Sequence, residues 1–293
     1  MIKKKLTRSV IFSRHPTHSI LRRKNRTLPL LPFRSLVRLG STTDMPDTVS
    51  NGGKRIECNT IKAVKNSANK LLMKRCFAND NVKTADWWIV DNHNNLKFHK
   101  YGEQDDDQQF AINNDTYPIV AKHIFGSRNN GNTLIKSIEE LNKWLIGKTL
   151  NNYIFEKFYN YNREYRLHVT EDGCFYTCRK MLKSDTPEDQ RWYRNDKNSS
   201  WIIEQNPDFD KPVNWDIIVE ESIKALKATG LDIGAVDLRI QSSKDNKGII
   251  RENPDFIIVE INSAPSFGEI TSQKYIEEIP KLLRRKYALQ NKL

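Results

Sequence analysis

Asp237-Leu238-Arg239-Ile240 and, after a polar loop, Phe256-Ile257-Ile258-Val259-Glu260-Ile261-Asn262-Ser263-Ala264-Pro265-Ser266-Phe267-Gly268 decide how this chain folds. Both arms alternate as half-buried strands do. In the first, Ala235, Asp237 and Arg239 share one face, and Val236, Leu238 and Ile240 the other. In the second, Ile258, Glu260 and Asn262 face together, with Val259 and Ile261 opposite. Positions 237 and 260 are symmetric about Gly248-Ile249, so an antiparallel hairpin centred there sets Asp237 across from Glu260. Opposed positions on one face bring Cβ atoms within about 5 Å. Two carboxylates and the Asn262 amide oxygen crowded together repel unless a cation lies between them. That predicts a hard-cation oxygen site of the kind Mg²⁺ takes with substrate phosphates. The bland alternative is a solvent-facing acidic pair on an edge hairpin. Against it stands the Asn262-Ser263-Ala264-Pro265 exit, which adds a third donor and a rigid turn.

A chain of 293 residues, 38% hydrophobic, is long enough for a sizeable core in two or three subdomains. No apolar run approaches a membrane span, so the expectation is a cytoplasmic protein without a membrane partner. The four cysteines, Cys58, Cys76, Cys174 and Cys178, form no disulfide framework for this length, which points to reduced intracellular thiols. Cys174 and Cys178 are expected on one face of a strand, with no histidine nearby to complete a zinc set. The net charge of +12 is unevenly spread. Residues 1–43 hold eleven Lys or Arg and no acid, leaving 37 basic against 36 acidic residues in the whole remainder. The body is thus nearly neutral and the N-terminus is a basic arm. Its composition suits an acidic partner such as nucleic acid or an acidic peptide, an organellar transit peptide, or a solvated extension. Ser9–Ser13 and Leu36–Gly40 read as short strands, which favours a folded basic piece.

Along the rest of the chain, a helix is expected from Asn59 through Arg75 on the stripe Ile61, Val64, Ala68, Leu71 and Leu72. Strands are expected at Trp87–Val90 and Tyr117–Phe125. A polar loop, 126–132, follows, and then a helix whose start is the capping box Ser137-Ile138-Glu139-Glu140. Tyr153–Tyr159 reads as a strand, and Glu164–Thr170 with Cys174–Leu182 as a hairpin around Asp172-Gly173. Thr186–Ser200 is polar enough to be read as a mobile loop. Asn214 and Gly230 bracket a helix over Trp215–Thr229, buried through Ile218, Ile223 and Leu226. A last helix runs around Tyr275–Ala288, with Pro280 expected to kink or divide it. Strands and helices mix without strict alternation, which is an α+β or mixed α/β architecture.

Lys122 ends an apolar strand beside a loop of small and polar residues, where backbone N–H groups can cradle phosphate oxygens. An ordinary surface lysine before a turn is the alternative. Taken with the Asp237/Glu260 hairpin, the chain here resembles the ATP-grasp superfamily. Pro118, Val120, Lys122, Gly126, Ser127 and Gly131 follow that family's Pro-x-Val-x-Lys and Gly/Ser loop, though Asn129 and Asn130 replace its usual glycines. Asn tolerates positive φ better than most residues, so closure of that loop is retained. Ser67-Ala68-Asn69-Lys70 resembles the start of the family's first helix and offers Lys70 as a second phosphate-binding lysine. Glu260-x-Asn262-x-x-Pro265, after Asp237, resembles its metal-binding strands. Ile154–Tyr159 resembles the segment linking the two lobes, which implies that Glu156, Lys157 and Phe158 read adenine. Arg163-Glu164-Tyr165-Arg166-Leu167-His168-Val169 resembles the next strand. By alternation Glu164, Arg166 and His168 share a face; the resemblance sets Glu164 at the ribose and has Arg166 and Lys180 neutralise the transferred phosphate.

The resemblance spans about Asn69–Gly268. It implies an ATP-grasp fold of two α+β lobes with ATP between them, preceded by a reduced α/β N-terminal piece. The corresponding bounds are 1–66 for that piece, 67–152 for the N-lobe and 153–293 for the C-lobe. Small members of this kind are similar to phage-encoded proteins and to ribosomal-protein glutamate ligases. The implied activity is ATP-dependent carboxylate–amine ligation through an acyl-phosphate, with ATP and two Mg²⁺ ions as cofactors. The implied substrates are an amino acid, peptide or protein. Two other readings stand beside it: a nucleic-acid-associated binding protein using residues 1–43 with a vestigial ATP site, and an ATP-grasp kinase that stops after phosphoryl transfer.

Overall fold

Three short strands open the described part of the chain. They are Val10–Phe12 (β1), Ser35–Val37 (β2) and Ile56–Cys58 (β3), parallel and hydrogen-bonded in that order. The computed structural model describes residues 10–12, 31, 33–43, 55–90, 96–99, 116–126 and 131–291. Two of the three strands match the expected ones, β1 within a residue at each end and β2 starting one residue earlier and ending three earlier. Val37 of β2 and Ile56 and Cys58 of β3 pack on the helix Glu269–Gln290, against Tyr275, Ile279 and Leu283. That helix runs unbroken through Pro280. A proline removes one N–H and clashes with the carbonyl one turn back, but Ile276, Ile279 and Leu282 on either side are buried and hold the turn together.

Next come two helices where one was expected: Ile61–Ala68 (α1) and Lys70–Asn79 (α2). Asn69 is extended (φ −111°, ψ 115°), and its side chain accepts the N–H groups of Leu71 and Leu72. A short polar side chain offering its own acceptor competes with helix continuation, so Asn69 ends one helix and caps the next. The break turns the apolar stripe. Ala63, Val64, Met73 and Phe77 are buried, whereas Leu72 is exposed.

The N-lobe sheet consists of Trp87–Val90 (β4), Leu96–His99 (β5), Ile119–His123 (β6), Asn132–Ile135 (β7) and Tyr153–Lys157 (β8), all antiparallel in the order β5-β4-β8-β6-β7. Ile138–Leu145 (α3) covers it with Leu141, and the Ser137 hydroxyl accepts the Glu140 N–H as the capping box requires. β8, expected to open the C-lobe, lies between β4 and β6.

The C-lobe sheet is Arg163–Thr170 (β9), Gly173–Leu182 (β10), Ser199–Ile203 (β11), Ile233–Ile240 (β12) and Phe256–Asn262 (β13), ordered β11-β10-β9-β12-β13. Trp215–Thr229 (α4) packs on one face together with α1 and α2, burying Tyr165, Leu167, Val236 and Leu238. Gly230, at φ 76°, stops α4 as expected, but the Asn214 side chain does not cap it; its Nδ2 donates to Pro254 O instead. The long helix 269–290 (α5) lies on the other side, against β10 and β3. Among the described residues no helix is long and apolar enough to cross a membrane.

Two bulges change the expected facing. On β13 the register runs Asp237↔Glu260 and then Leu238↔Ile258, leaving Val259 extra. Ile258 therefore turns into the core with Ile261, not toward Glu260 as simple alternation has it. On β10, Cys174 pairs with Val169 while Cys178 pairs with Arg166, so a shift at Phe175 puts the two thiols on opposite faces.

His168 sits beneath Arg166, enclosed by Phe175, Tyr176 and Tyr275, with Nδ1 3.1 Å from Tyr275 Oη. Burial, and then the Arg166 charge, push its pKa well below the usual value. The unfolded chain takes up a proton there below pH ~6.5 that the folded chain refuses, so stability is complete above that pH and falls beneath it. Replacing His168 by Gln is expected to flatten the acid side of a stability–pH curve, by up to about 1.4 kcal/mol per pH unit below 6.5. Urea denaturation at stepped pH measures it, and an unchanged slope would contradict a buried neutral imidazole.

Candidate active site

β9, β12 and β13 carry the acidic end of one cleft. Asp237 and Glu260 are directly opposed, as the hairpin symmetry predicts. Asn262 Nδ2 donates to both, at 3.2 Å to Asp237 Oδ2 and 3.0 Å to Glu260 Oε1. Three side chains thus converge within hydrogen-bond reach of one point. Arg166, across from Asp237 on β9, grips it with two parallel bonds of 2.6 and 2.7 Å. Burial raises the Asp237 pKa to about 6 against the pull of Arg166, and Glu260 adds to the rise. Burial also presses the Glu260 pKa upward, but Lys70, the Asn262 amide and Lys122 outweigh it and the carboxyl falls below its ordinary range.

The basic end comes from α2 and β6. The break at Asn69 sets Lys70 at the first turn of α2, where Nζ donates to Gly126 O. Burial lowers its pKa, with Glu260 opposing. Lys122 Nζ lies 2.6 Å from Glu156 Oε2 on β8. Glu156 is buried, and Lys74, one turn beyond Lys70, lies 3.3 Å from its other oxygen. Burial would raise the Glu156 pKa, but Lys122 and Lys74 bring it below normal. The Glu156 side chain is therefore engaged as a counter-ion to two lysines. The sequence reading missed Lys74; a lysine on a helix next to another gives no sign that it faces inward. Gly131, at φ 79°, closes the loop turn where a Cβ would come within 3.1 Å of His123 Cβ. The Gly126 N–H is spent on His123 O, leaving it no donor for a ligand. Ser127 lies outside the described residues.

Between these ends run the lobe linker and the loop before β11. Lys157 and Phe158 line the cleft, but their N–H groups bond to Asp86 O and Pro118 O, continuing the ladders of β8 with β4 and β6. Glu164 is shared by Arg239 at 3.1 Å and Arg194 at 3.7 Å. Burial brings the Arg194 pKa down to about 10 in spite of Glu164. Lys180 Nζ donates to Arg194 O, and the Trp201 ring lies under both Lys180 and Arg166, at 5.0 and 4.8 Å. Gly131 excepted, the expected residues that the structure describes line one cleft of about 480 Å³ between the lobes.

Solved structures share this architecture, two of them over nearly the whole chain. The D-alanine–D-alanine ligase of Bacillus anthracis superposes with a TM-score of 0.55 at 11% identity, covering 96% of this chain and 98% of that one. The same ligase complexed with ATP gives 0.54 at 12% identity, over 96% and 97%. The ATP-grasp ligase PsnB, complexed with a minimal precursor, gives 0.48 at 11% identity over 79% and 65%. The chain has the ATP-grasp fold. No family model and no curated protein matches the sequence, so the likeness is one of architecture.

An ATP-grasp cleft asks whether the acidic end suits magnesium. Among the described residues no three His, Cys, Asp or Glu side chains form a metal cluster. The donor set is instead two carboxylates and one amide, which matches the few protein oxygens Mg²⁺ takes when phosphates supply others. Asn262 already bridges both acids through nitrogen; exchanging its amide O and N turns the same side chain into a ligand.

The loop Thr186–Ser200, expected to be mobile from its polar composition, is folded. Asn198 Oδ1 accepts the Asn195 N–H, its Nδ2 donates to Gln190 O and Tyr193 O, and its backbone O takes Lys183 N and Thr186 Oγ1. Loss of the side-chain bonds should free Arg194. Asn198→Ala is expected to cost about 2–3 kcal/mol and to open 186–198 to limited proteolysis, a loop as resistant as wild type being the contrary result.

Proposed function

We propose that the protein is an ATP-dependent carboxylate–amine ligase of the ADP-forming kind. The observation that carries this reading is the convergence, in one interlobe cleft, of Lys70 and Lys122 with Asp237, Glu260, Asn262 and Arg166. Phosphoryl transfer needs alignment and charge neutralisation more than a protein nucleophile, and this set supplies both signs of charge on opposite walls.

In this reading Lys70 and Lys122 hold the phosphates. Asp237, Glu260 and Asn262 would hold Mg²⁺, two ions in the full complex, which when bound neutralises phosphate charge. The Lys157–Phe158 segment takes the base and Glu164 the ribose, released from its two arginines in part or whole. A substrate carboxylate oxygen displaces ADP from the γ-phosphorus. An amine nitrogen then attacks the acyl carbon, phosphate leaves with the C–O bond, and the nitrogen gives up its proton to form the amide. Arg166, locked in plane by Asp237, and Lys180, seated on Trp201, face the region where negative charge passes from one oxygen to another. The folded loop carrying Trp192, Tyr193 and Arg194 walls that region from water, as a reactive acyl-phosphate demands. An amino acid, peptide or protein provides the carboxylate and the amine.

Mass spectrometry of reactions with pooled amino acids and acidic peptides should find a product lighter than the two substrates together by one water, with equimolar ADP. ADP released without any amine would indicate a kinase. Glu260→Ala should lower ADP formation at least ~100-fold with an unchanged melting profile, and retained turnover would remove the metal assignment.

A further inference from the structure

Lys74 lies behind the cleft wall, fully buried at 0% exposure, and the function above assigns it nothing. A buried ammonium needs compensation, and its surroundings supply it unequally. Nζ donates to Thr84 Oγ1 and lies 3.3 Å from Glu156 Oε1, an oxygen that makes no hydrogen bond. The other oxygen of the same carboxylate is gripped at 2.6 Å by Lys122. One negative charge therefore serves two positive ones, and the buried trio keeps a surplus of one positive charge on the side that faces the cleft.

Three elements of the cleft meet at this one ammonium. Through Glu156 it reaches Lys122 on β6. Through α2 it stands four residues, one helical turn, from Lys70. Through Thr84, whose hydroxyl donates to Ile258 O at 2.7 Å, it reaches β13 beside the bulge that aims Glu260. We propose that Lys74 is a positioning residue for nucleotide phosphates: by taking half of Glu156 it prevents that carboxylate from neutralising Lys122, and leaves the Lys122 charge available to a polyanion. The inference rests on the nucleotide reading of the cleft and assigns a role within it.

The charge count gives the test. In Lys74→Met the apolar stem stays, the trio falls from +1 to 0, and Glu156 belongs to Lys122 alone. In Lys74→Met/Glu156→Gln the trio returns to +1. Calorimetric titration with ADP and with adenosine compares both variants and the wild type. ADP affinity is expected to drop on the order of tenfold in the single variant, to recover most of the loss in the double variant, and adenosine affinity to stay constant. A lysine that merely fills space would weaken ADP and adenosine alike, and the second substitution would add to the damage; that result overturns the proposal. Lys74→Gln, which keeps a donor for Thr84, gives the same three-way comparison if the Met variant does not fold. A wild-type chain that binds no ADP overturns the nucleotide reading itself, whereas normal wild-type binding without recovery in the double variant overturns the role of Lys74 alone.

Discussion

Asp237 and Glu260 repel one another across a single register pair of β12 and β13, and the charges of the cleft are disposed around that repulsion. Two carboxylates out of bulk water a few ångströms apart cannot both stay ionised without compensation. Arg166 answers for Asp237 with a planar fork, Lys70 stands nearest to Glu260 in charge, and Asn262 threads its amide between them. The raised Asp237 and lowered Glu260 show that the compensation is uneven. Asp237 bears the cost of burial although its own arginine touches it. Glu260 stays ionised through a lysine that belongs to another element.

That division follows from topology. β9 and β12 are neighbours, so Arg166 and Asp237 meet inside one sheet whatever the lobes do. Lys70 comes from α2, which is packed against α4 on the C-lobe while its side chain reaches the carbonyl of Gly126 on the N-lobe. The α2 helix is thus the piece that couples the two walls. Its start is fixed by Asn69, and without that break Lys70 would sit mid-helix with its backbone N–H committed to the preceding turn; instead the N–H bonds to Ile124 O beside Gly126.

Much of the acidic wall was legible because a hairpin's register is arithmetic: residues equidistant from the turn face each other. The arithmetic held from Ala235↔Asn262 to Asp237↔Glu260 and failed one residue later. Ile257-Ile258-Val259 is a run of three apolar β-branched residues, and nothing in such a run marks which one is the extra residue of a bulge. The helix break was hidden for a related reason, since Leu71 and Leu72 continue the apolar stripe and mask the cap formed by Asn69. Glu156 and Lys74 are eighty-two positions apart, a pairing that periodicity has no means to see. The loop before β11 misled through composition: its polarity suggests mobility, while Asn195 and Asn198 spend their side chains holding the loop to itself.

An arginine locked on Asp237 looks at first like an argument against a cation there, because both carboxylate oxygens are already engaged. Lone-pair counting says otherwise. Each oxygen of an ionised carboxylate has two acceptor positions, and the fork from Arg166 takes one on each, along the direction of β9. The positions left over lie toward β13, where Asn262 and Glu260 stand. In the proposed ligase the guanidinium would orient Asp237 in the way a partner outside the ligand set orients a metal-binding side chain. A lysine at position 166, with a point charge in place of a planar fork, would neutralise the carboxylate without fixing its plane. The sheet register that places an arginine beside Asp237 is accordingly part of the site, as much as the oxygen donors themselves.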